Sequence, residues 1–192
     1  MKTKFLHIAT ALLFAGFTSS CSDFLDRYPL DELSDSSFWK TENDAMMAVT
    51  DIYGCLPTWD QDEDINSDNA VHGIKWAAGN ISKGIYDPMD QSWAGSYTPI
   101  RQCNLVLEKV KDIEMSDESR KKIEGQAYFF RAFVYFNLIR SFGDVPYIDK
   151  PLNLTDVEDI TRTPREEVYA KVMADFDKAI EYLPEEWDAA NT

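Results

Sequence analysis

Ala127-Tyr128-Phe129-Phe130-Arg131-Ala132-Phe133-Val134-Tyr135-Phe136-Asn137-Leu138-Ile139 is the stretch that decides the fold. Eleven of its thirteen residues are apolar or aromatic, and Arg131 and Asn137 are the exceptions. A helix that is greasy on nearly every side has no solvent face and belongs in the middle of a helical stack. Upstream, Ser116-Asp117-Glu118-Ser119 starts a helix; downstream, Gly143 and Pro146 end it, leaving Val145 to Ile148 as a short extended piece. Buried polar groups are costly unless paired. Arg131 is therefore expected to meet Asp175 or another carboxylate between adjacent helices.

Three further helices flank this one. Trp93, Tyr97, Ile100, Cys103 or Asn104, Leu107 and Val110 fall on one helical stripe before it. Trp93, on that stripe, reads as core. After it, Thr163, Pro164 and Glu166 read as a capping box with Pro at the first helical position. Val168, Val172, Phe176, Ala179, Ile180 and Leu183 are the expected buried face of that helix, and Pro184 stops it. Near the start of the chain, Thr41 can cap a helix whose early acids favour the positive helix end. Ala45, Val49, Ile52 and Leu56 follow at three- and four-residue steps, and Pro57 closes that helix. Four helices with little strand pattern between them indicate an all-α fold.

Between Pro57 and about Gln91 the periodicity fails, and Gly73, Gly79, Gly84, Pro88 and many Asp mark loops and short turns. A loop of this length in a compact domain is usually functional or disordered. Asp60, Asp62 and Asp64 alternate like the first half of a calcium loop. Ile65 stands where the turn needs Gly, and Val71 where a bidentate Glu is needed, so an EF-hand is rejected and no metal site is assigned.

Charge narrows the function. The chain of 192 residues carries a formal charge of −15, and −17 without Lys2 and Lys4. An acidic surface of that size repels phosphate backbones and argues against nucleic-acid binding through a basic patch. Lys2 and Lys4 open a leader: a short apolar run from Phe5 to Phe17 follows, then Thr18-Ser19-Ser20-Cys21. The run is too short to span a bilayer and has the parts of a secretory signal peptide. Residues 1–20 are thus expected to be a lipoprotein signal peptide, with Cys21 acylated as the new N-terminus; plain secretion is the alternative. Thr18 stands where such signals usually carry Leu. Cys55 and Cys103 lie in helical patterns among apolar neighbours and read as two buried thiols, although an oxidising exterior permits a disulfide.

Phe176, Ala179 and Pro184 have the spacing of the second helix of a tetratricopeptide unit, but no fixed period recurs. The expected architecture is all-α, built of degenerate tetratricopeptide-like helix-turn-helix units with long inserted loops.

These pieces, in order, resemble the N-terminal part of the SusD/RagB family of outer-membrane nutrient-binding lipoproteins. The matching stretches are Cys21-Ser22-Asp23-Phe24-Leu25-Asp26; Phe38-Trp39-Lys40-Thr41-Glu42-Asn43-Asp44-Ala45; Cys103-Asn104 before Leu107; Arg131-Ala132-Phe133 through Phe142-Gly143-Asp144-Val145-Pro146; and Thr161-Arg162-Thr163-Pro164-Arg165 through Tyr169, Asp175, Ala179 and Leu183-Pro184. The resemblance implies that residues 21–192 are a helical-repeat region, a superhelix of degenerate tetratricopeptide-like helix-turn-helix units, incomplete at its C-terminus. It implies a lipid-anchored protein of the cell outer membrane, facing outward. Such proteins capture oligosaccharide or polysaccharide and hand it to a SusC-like TonB-dependent transporter. A helical-repeat scaffold that only docks proteins is the alternative. A binding role needs aromatic faces for sugar C–H surfaces and amides or carboxylates for hydroxyls, and Trp59, Trp76 and Tyr86 are the candidate ligand contacts.

Catalysis has little support. His72 is the one histidine left after cleavage of the leader, and there is no H-E-x-x-H, no G-x-S-x-G elbow and no phosphate-cradling loop. Glycosidases need merely two spaced carboxylates, yet the reading is of a protein that is not an enzyme and uses no cofactor. Arg162 and Arg165 are expected to make local ion pairs rather than ligand contacts.

Overall fold

A computed structural model describes residues 38–56, 84, 93–156 and 159–187. Contacts divide the chain into Met1–Phe38 and Trp39–Thr192, and the helices named below all belong to the second unit. They are α1 (Glu42–Ile52), α2 (Trp93–Lys109), α3 (Asp117–Phe142) and α4 (Arg165–Tyr182). Among the described residues there is no strand, only an isolated antiparallel bridge between Val145 and Thr163. Nor is any described helix both long and apolar enough to cross a membrane.

α1 starts as its residues dictate. The Thr41 hydroxyl accepts from the Asp44 N–H, and the Asp44 carboxylate accepts from the Thr41 N–H at 2.8 Å, a reciprocal box that satisfies two donors at the helix end. The helix stops at Ile52, earlier than the apolar spacing implies, and tightens into a 3-10 turn over Tyr53–Cys55. That turn winds at three residues per turn, so Leu56 leaves the buried stripe of Ala45, Val49 and Ile52 and is exposed. Leu56 is itself extended (φ −68°, ψ 137°), as sterics require of a residue before proline.

α3 is the axis of the fold. It packs against α1, α2 and α4, most extensively against α4, as its apolar circumference demands. The N-cap is Ser116, whose hydroxyl accepts from the Ser119 N–H at 3.0 Å. Gly143 ends the helix at φ 70°, a left-handed conformation that favours glycine, with its N–H on the Ile139 carbonyl at 3.1 Å. Around α3 sit two cores. One joins Ala45, Val49 and Ile52 of α1 to Cys103, Val106, Ile123 and Phe130. The other joins Ile100, Tyr135, Leu138 and Val145 to Val168 and Val172 of α4. Each large side chain so buried contributes about 1.5–3 kcal/mol.

α4 departs from expectation in two places. Its N-cap is Pro164, which makes no side-chain cap bond, so the Thr163 capping box does not form. Thr163 instead pairs with Val145 in both directions, at 2.9 and 3.3 Å. With the Thr163 carbonyl committed to that bridge, the first helical acceptor is Pro164, and the Arg165 N–H is capped by Asp144 Oδ1 at 2.9 Å. The buried stripe runs Val168, Val172, Asp175, Ala179. Phe176 and Leu183 are half-buried, and Ile180 is 78% exposed, because α3 covers a stripe centred one residue away from it.

Candidate functional site

The proposed lipidation residue Cys21 and the proposed ligand contacts Trp59, Trp76 and Tyr86 lie outside the described residues, as do Asp60, Asp62 and Asp64. The structure nevertheless describes what stands on either side of the aromatic segment. That segment lies between Leu56 and Trp93, where residue 84 alone is described. Gly54 and Cys55 at one root, with Gly95 and Ser96 at the other, line a cavity of about 450 Å³ between α1, α2 and α3.

The remaining lining is of the kind that engages hydroxyl groups. Asp51, Thr98, Gln102 and Asn137 supply a carboxylate, a hydroxyl and two amides beside the ring of Phe133. Gln102 Nε2 donates to Asp51 Oδ2 at 2.6 Å, which ties α2 to α1. Asn137 Nδ2 donates to the Phe133 carbonyl one turn back at 3.0 Å, so its amide oxygen is kept as an acceptor. Pro99 lies inside α2 and also lines the cavity. It has no N–H for the Gly95 carbonyl one turn back, which leaves that acceptor to a partner outside the helix ladder. Of these groups, only Asn137 left a signal in the sequence, as a polar interruption of a greasy helix. Asp51 and Gln102 are 51 positions apart and meet only by packing.

Trp93 packs rather than projects. Its ring stands edge-on to Phe142 at 4.8 Å, and the Arg162 guanidinium lies 5.0 Å above it. Arg162 also donates to the Asp144 carbonyl at 3.3 Å, whereas Arg165 makes a surface pair with Glu166 at 3.6 Å. Arg131 meets Asp175 as its chemistry requires: Nε and Nη2 each donate to a carboxylate oxygen at 2.7 Å, and Nη1 donates to Asn104 Oδ1 at 2.8 Å. Burial would lower the Arg131 pKa, but the hydrogen bonds and charge of Asp175 outweigh it and the guanidinium stays ionised. This group joins α2, α3 and α4 and is structural. Cys55 and Cys103 are both free thiols. Burial pushes Cys103 up to about 12, which makes it a packing residue rather than a nucleophile.

Comparison with known proteins places this arrangement. Residues 23–192 match a family model, SusD-like, described as starch-binding and associating with the outer membrane. SusD-like protein P2 of Formosa agariphila is 30% identical over 96% of this chain and 38% of its own length. A crystal structure of a SusD-like protein from Bacteroides fragilis superposes with a TM-score of 0.72 at 24% identity, covering 86% of this chain and 34% of that one. A laminarin-binding SusD-like protein superposes with a TM-score of 0.69 at 23% identity, covering 80% and 36%. The chain thus spans under two fifths of the curated relative's length, and the shared helical fold is that of the tetratricopeptide-like units.

Proposed function

Since the chain belongs to the SusD-like family, we propose that it is a cell-surface lipoprotein that binds glycan and passes it to a SusC-like TonB-dependent transporter. Residues 1–20 are the signal peptide in this reading, and acyl chains on Cys21 hold the protein at the outer membrane. Two or three such chains anchor stably, at about 0.8 kcal/mol per buried methylene.

The observation that carries the reading is the cavity at the two roots of the tryptophan-bearing segment, lined by hydroxyl, amide and carboxylate groups. Trp59, Trp76 and Tyr86 supply the aromatic faces on which sugar rings stack, and the cavity groups supply hydrogen bonds to hydroxyls. The family description of starch binding and the laminarin-binding neighbour support carbohydrate as the ligand class. The protein binds without hydrolysing.

Affinity electrophoresis of the full-length protein against a polysaccharide panel tests this. Retardation by at least one glycan, lost on Trp59→Ala/Trp76→Ala with unchanged melting temperature, is expected. Retardation by none refutes it, and release of reducing sugar refutes the absence of catalysis. Labelling of cells with radioactive palmitate checks Cys21: a Cys21→Ala variant is expected to take up none.

The second reading, a docking scaffold with no glycan site, draws on the exposed apolar side chains Tyr169, Met173 and Ile180 of α4. It prevails if the protein co-purifies with the transporter yet no glycan retards it.

A further inference from the structure

A second cavity, of about 260 Å³, opens elsewhere on the helical layer. Gly95, Pro99 and Gln102 of α2 line the first cavity, whereas Asn104 and Glu108 of the same helix line this one, with Lys111 in the 3-10 turn that follows. At 3.6 residues per turn the two sets are roughly half a turn apart on the helix. On α3, Phe133 and Asn137 against Tyr128 and Arg131 repeat the same opposition. The two cavities therefore face opposite sides of the α2–α3 layer.

The walls are preorganised. Tyr128 and Tyr147 are both half-buried, and the buried Asn104 and Arg131 lie between α2 and α3. The Tyr147 ring lies 4.9 Å from Tyr135, with the Lys171 ammonium 5.8 Å above it. The Tyr128 ring lies 6.1 Å from Tyr182 and 5.4 Å from the Arg131 guanidinium. Rings already fixed lose little freedom when a ligand arrives. Asn104 and Arg131 are engaged with each other, with Asp175 and with the Ile148 carbonyl, so they shape the floor.

The rim decides the class of ligand. Glu108 and Asp149 accept hydrogen bonds, Lys111 and Lys150 donate them, and all four are exposed. Asp156 meets Lys150 at 4.0 Å and Lys171 stands over Tyr147, so three acids and three bases balance, and with Arg131 neutralised by Asp175 neither an anion nor a cation is favoured. Interspersed donors and acceptors beside two aromatic rings suit vicinal hydroxyls on a ring with apolar C–H faces. A volume below the roughly 300–1,000 Å³ of drug-sized sites matches one such ring rather than a chain.

We propose that this pocket, lined by Tyr128, Tyr147, Glu108, Lys111, Asp149 and Lys150, is a second carbohydrate position that takes one uncharged sugar unit on the side of the layer opposite the first cavity. It rests on the glycan-binding reading above and extends it to a two-faced protein.

Photo-cross-linking of the full-length protein with diazirine-bearing maltohexaose and laminarihexaose, followed by peptide mapping, tests it. Label is expected on peptides holding Glu108 or Tyr147, competed by the same free oligosaccharide and persisting in Trp59→Ala/Trp76→Ala. Because Tyr147→Ala can unfold the protein, the exposed pair Glu108→Ala/Lys111→Ala is the primary variant. Each lost hydrogen bond weakens binding severalfold, so labelling there is expected to fall roughly tenfold at unchanged melting temperature. Glycan retardation in the gel with no label at these peptides overturns this pocket and leaves the first site standing. Neither retardation nor label anywhere overturns both. Preferential labelling by a diazirine-bearing oligogalacturonate overturns the assignment to uncharged sugars.

Discussion

α1 and α4 begin with similar sequence signals and are held in different ways. Thr41 and Asp44 close a box within four residues, joined among the described residues only by the N–H of the adjacent Lys40. Thr163 and Glu166 offer the same chemistry at the same spacing, yet the Thr163 backbone is drawn into the bridge with Val145, and the cap comes from Asp144, 21 residues upstream of Arg165. A local signal operates only when no tertiary partner competes for the same backbone groups. α1 is pinned by its own residues, whereas α4 is pinned by Asp144, by Arg131 through Asp175, and by its close approach to α3.

The largest break in that comparison is expected at Arg131. Arg131→Ala leaves the Asp175 carboxylate buried without its partner and strips Asn104 of a donor, which costs about 3–5 kcal/mol in urea unfolding. Replacing both partners, as in Arg131→Met/Asp175→Leu, is expected to cost much less, and equal losses would show that packing rather than charge is what matters. Next comes Gly125→Ala. A methyl there would sit 2.9 Å from Leu183 Cγ and 3.1 Å from Tyr182 Cβ, so the last turn of α4 must move. The expected loss is about 1–3 kcal/mol, less the roughly 1 kcal/mol that alanine contributes to an α-helix, and the melting temperature reads it.

Smaller still are the caps themselves. Asp144→Ala and Thr41→Ala are each expected to cost about 1 kcal/mol. Amide exchange separates them: the first accelerates exchange in the opening turn of α4, the second in α1 alone. If Thr163→Ala matches Asp144→Ala, the α4 cap is local after all. The mildest effect is that of pH. The hydrogen bond from Thr41 holds the Asp44 carboxyl below its usual range. A lowered folded pKa stabilises above the unfolded value near 3.8 and loses that contribution as pH falls through the folded one. The stability difference between the native chain and Asp44→Ala is thus present at pH 6 and narrows below about pH 4.

Much of the helical layout was legible in the residues. The apolar girth of 127–139 marks a helix with neighbours on several sides, and α3 contacts α1, α2 and α4. A lone arginine in that girth demands a carboxylate, and Asp175 is the one it meets. Apolar periodicity is not the same as burial. Ile180 and Leu56 fit the apolar spacing but are exposed, since a neighbouring helix covers a stripe of limited width and a 3-10 turn shifts the register. The cavity groups were less legible. Asp51 and Gln102 carry no pattern of their own, and Pro99 gains meaning only once Gly95 lies one turn behind it beside a cavity.

By itself the sequence determined where helices form, because periodicity, glycine and proline act over a few residues, and it determined the family through short stretches in a set order. Tertiary structure decided which apolar residues are covered, which partner caps α4 and which polar groups share a cavity. Those outcomes depend on groups far apart in the chain competing for the same hydrogen bonds and the same space, and no local pattern encodes the winner.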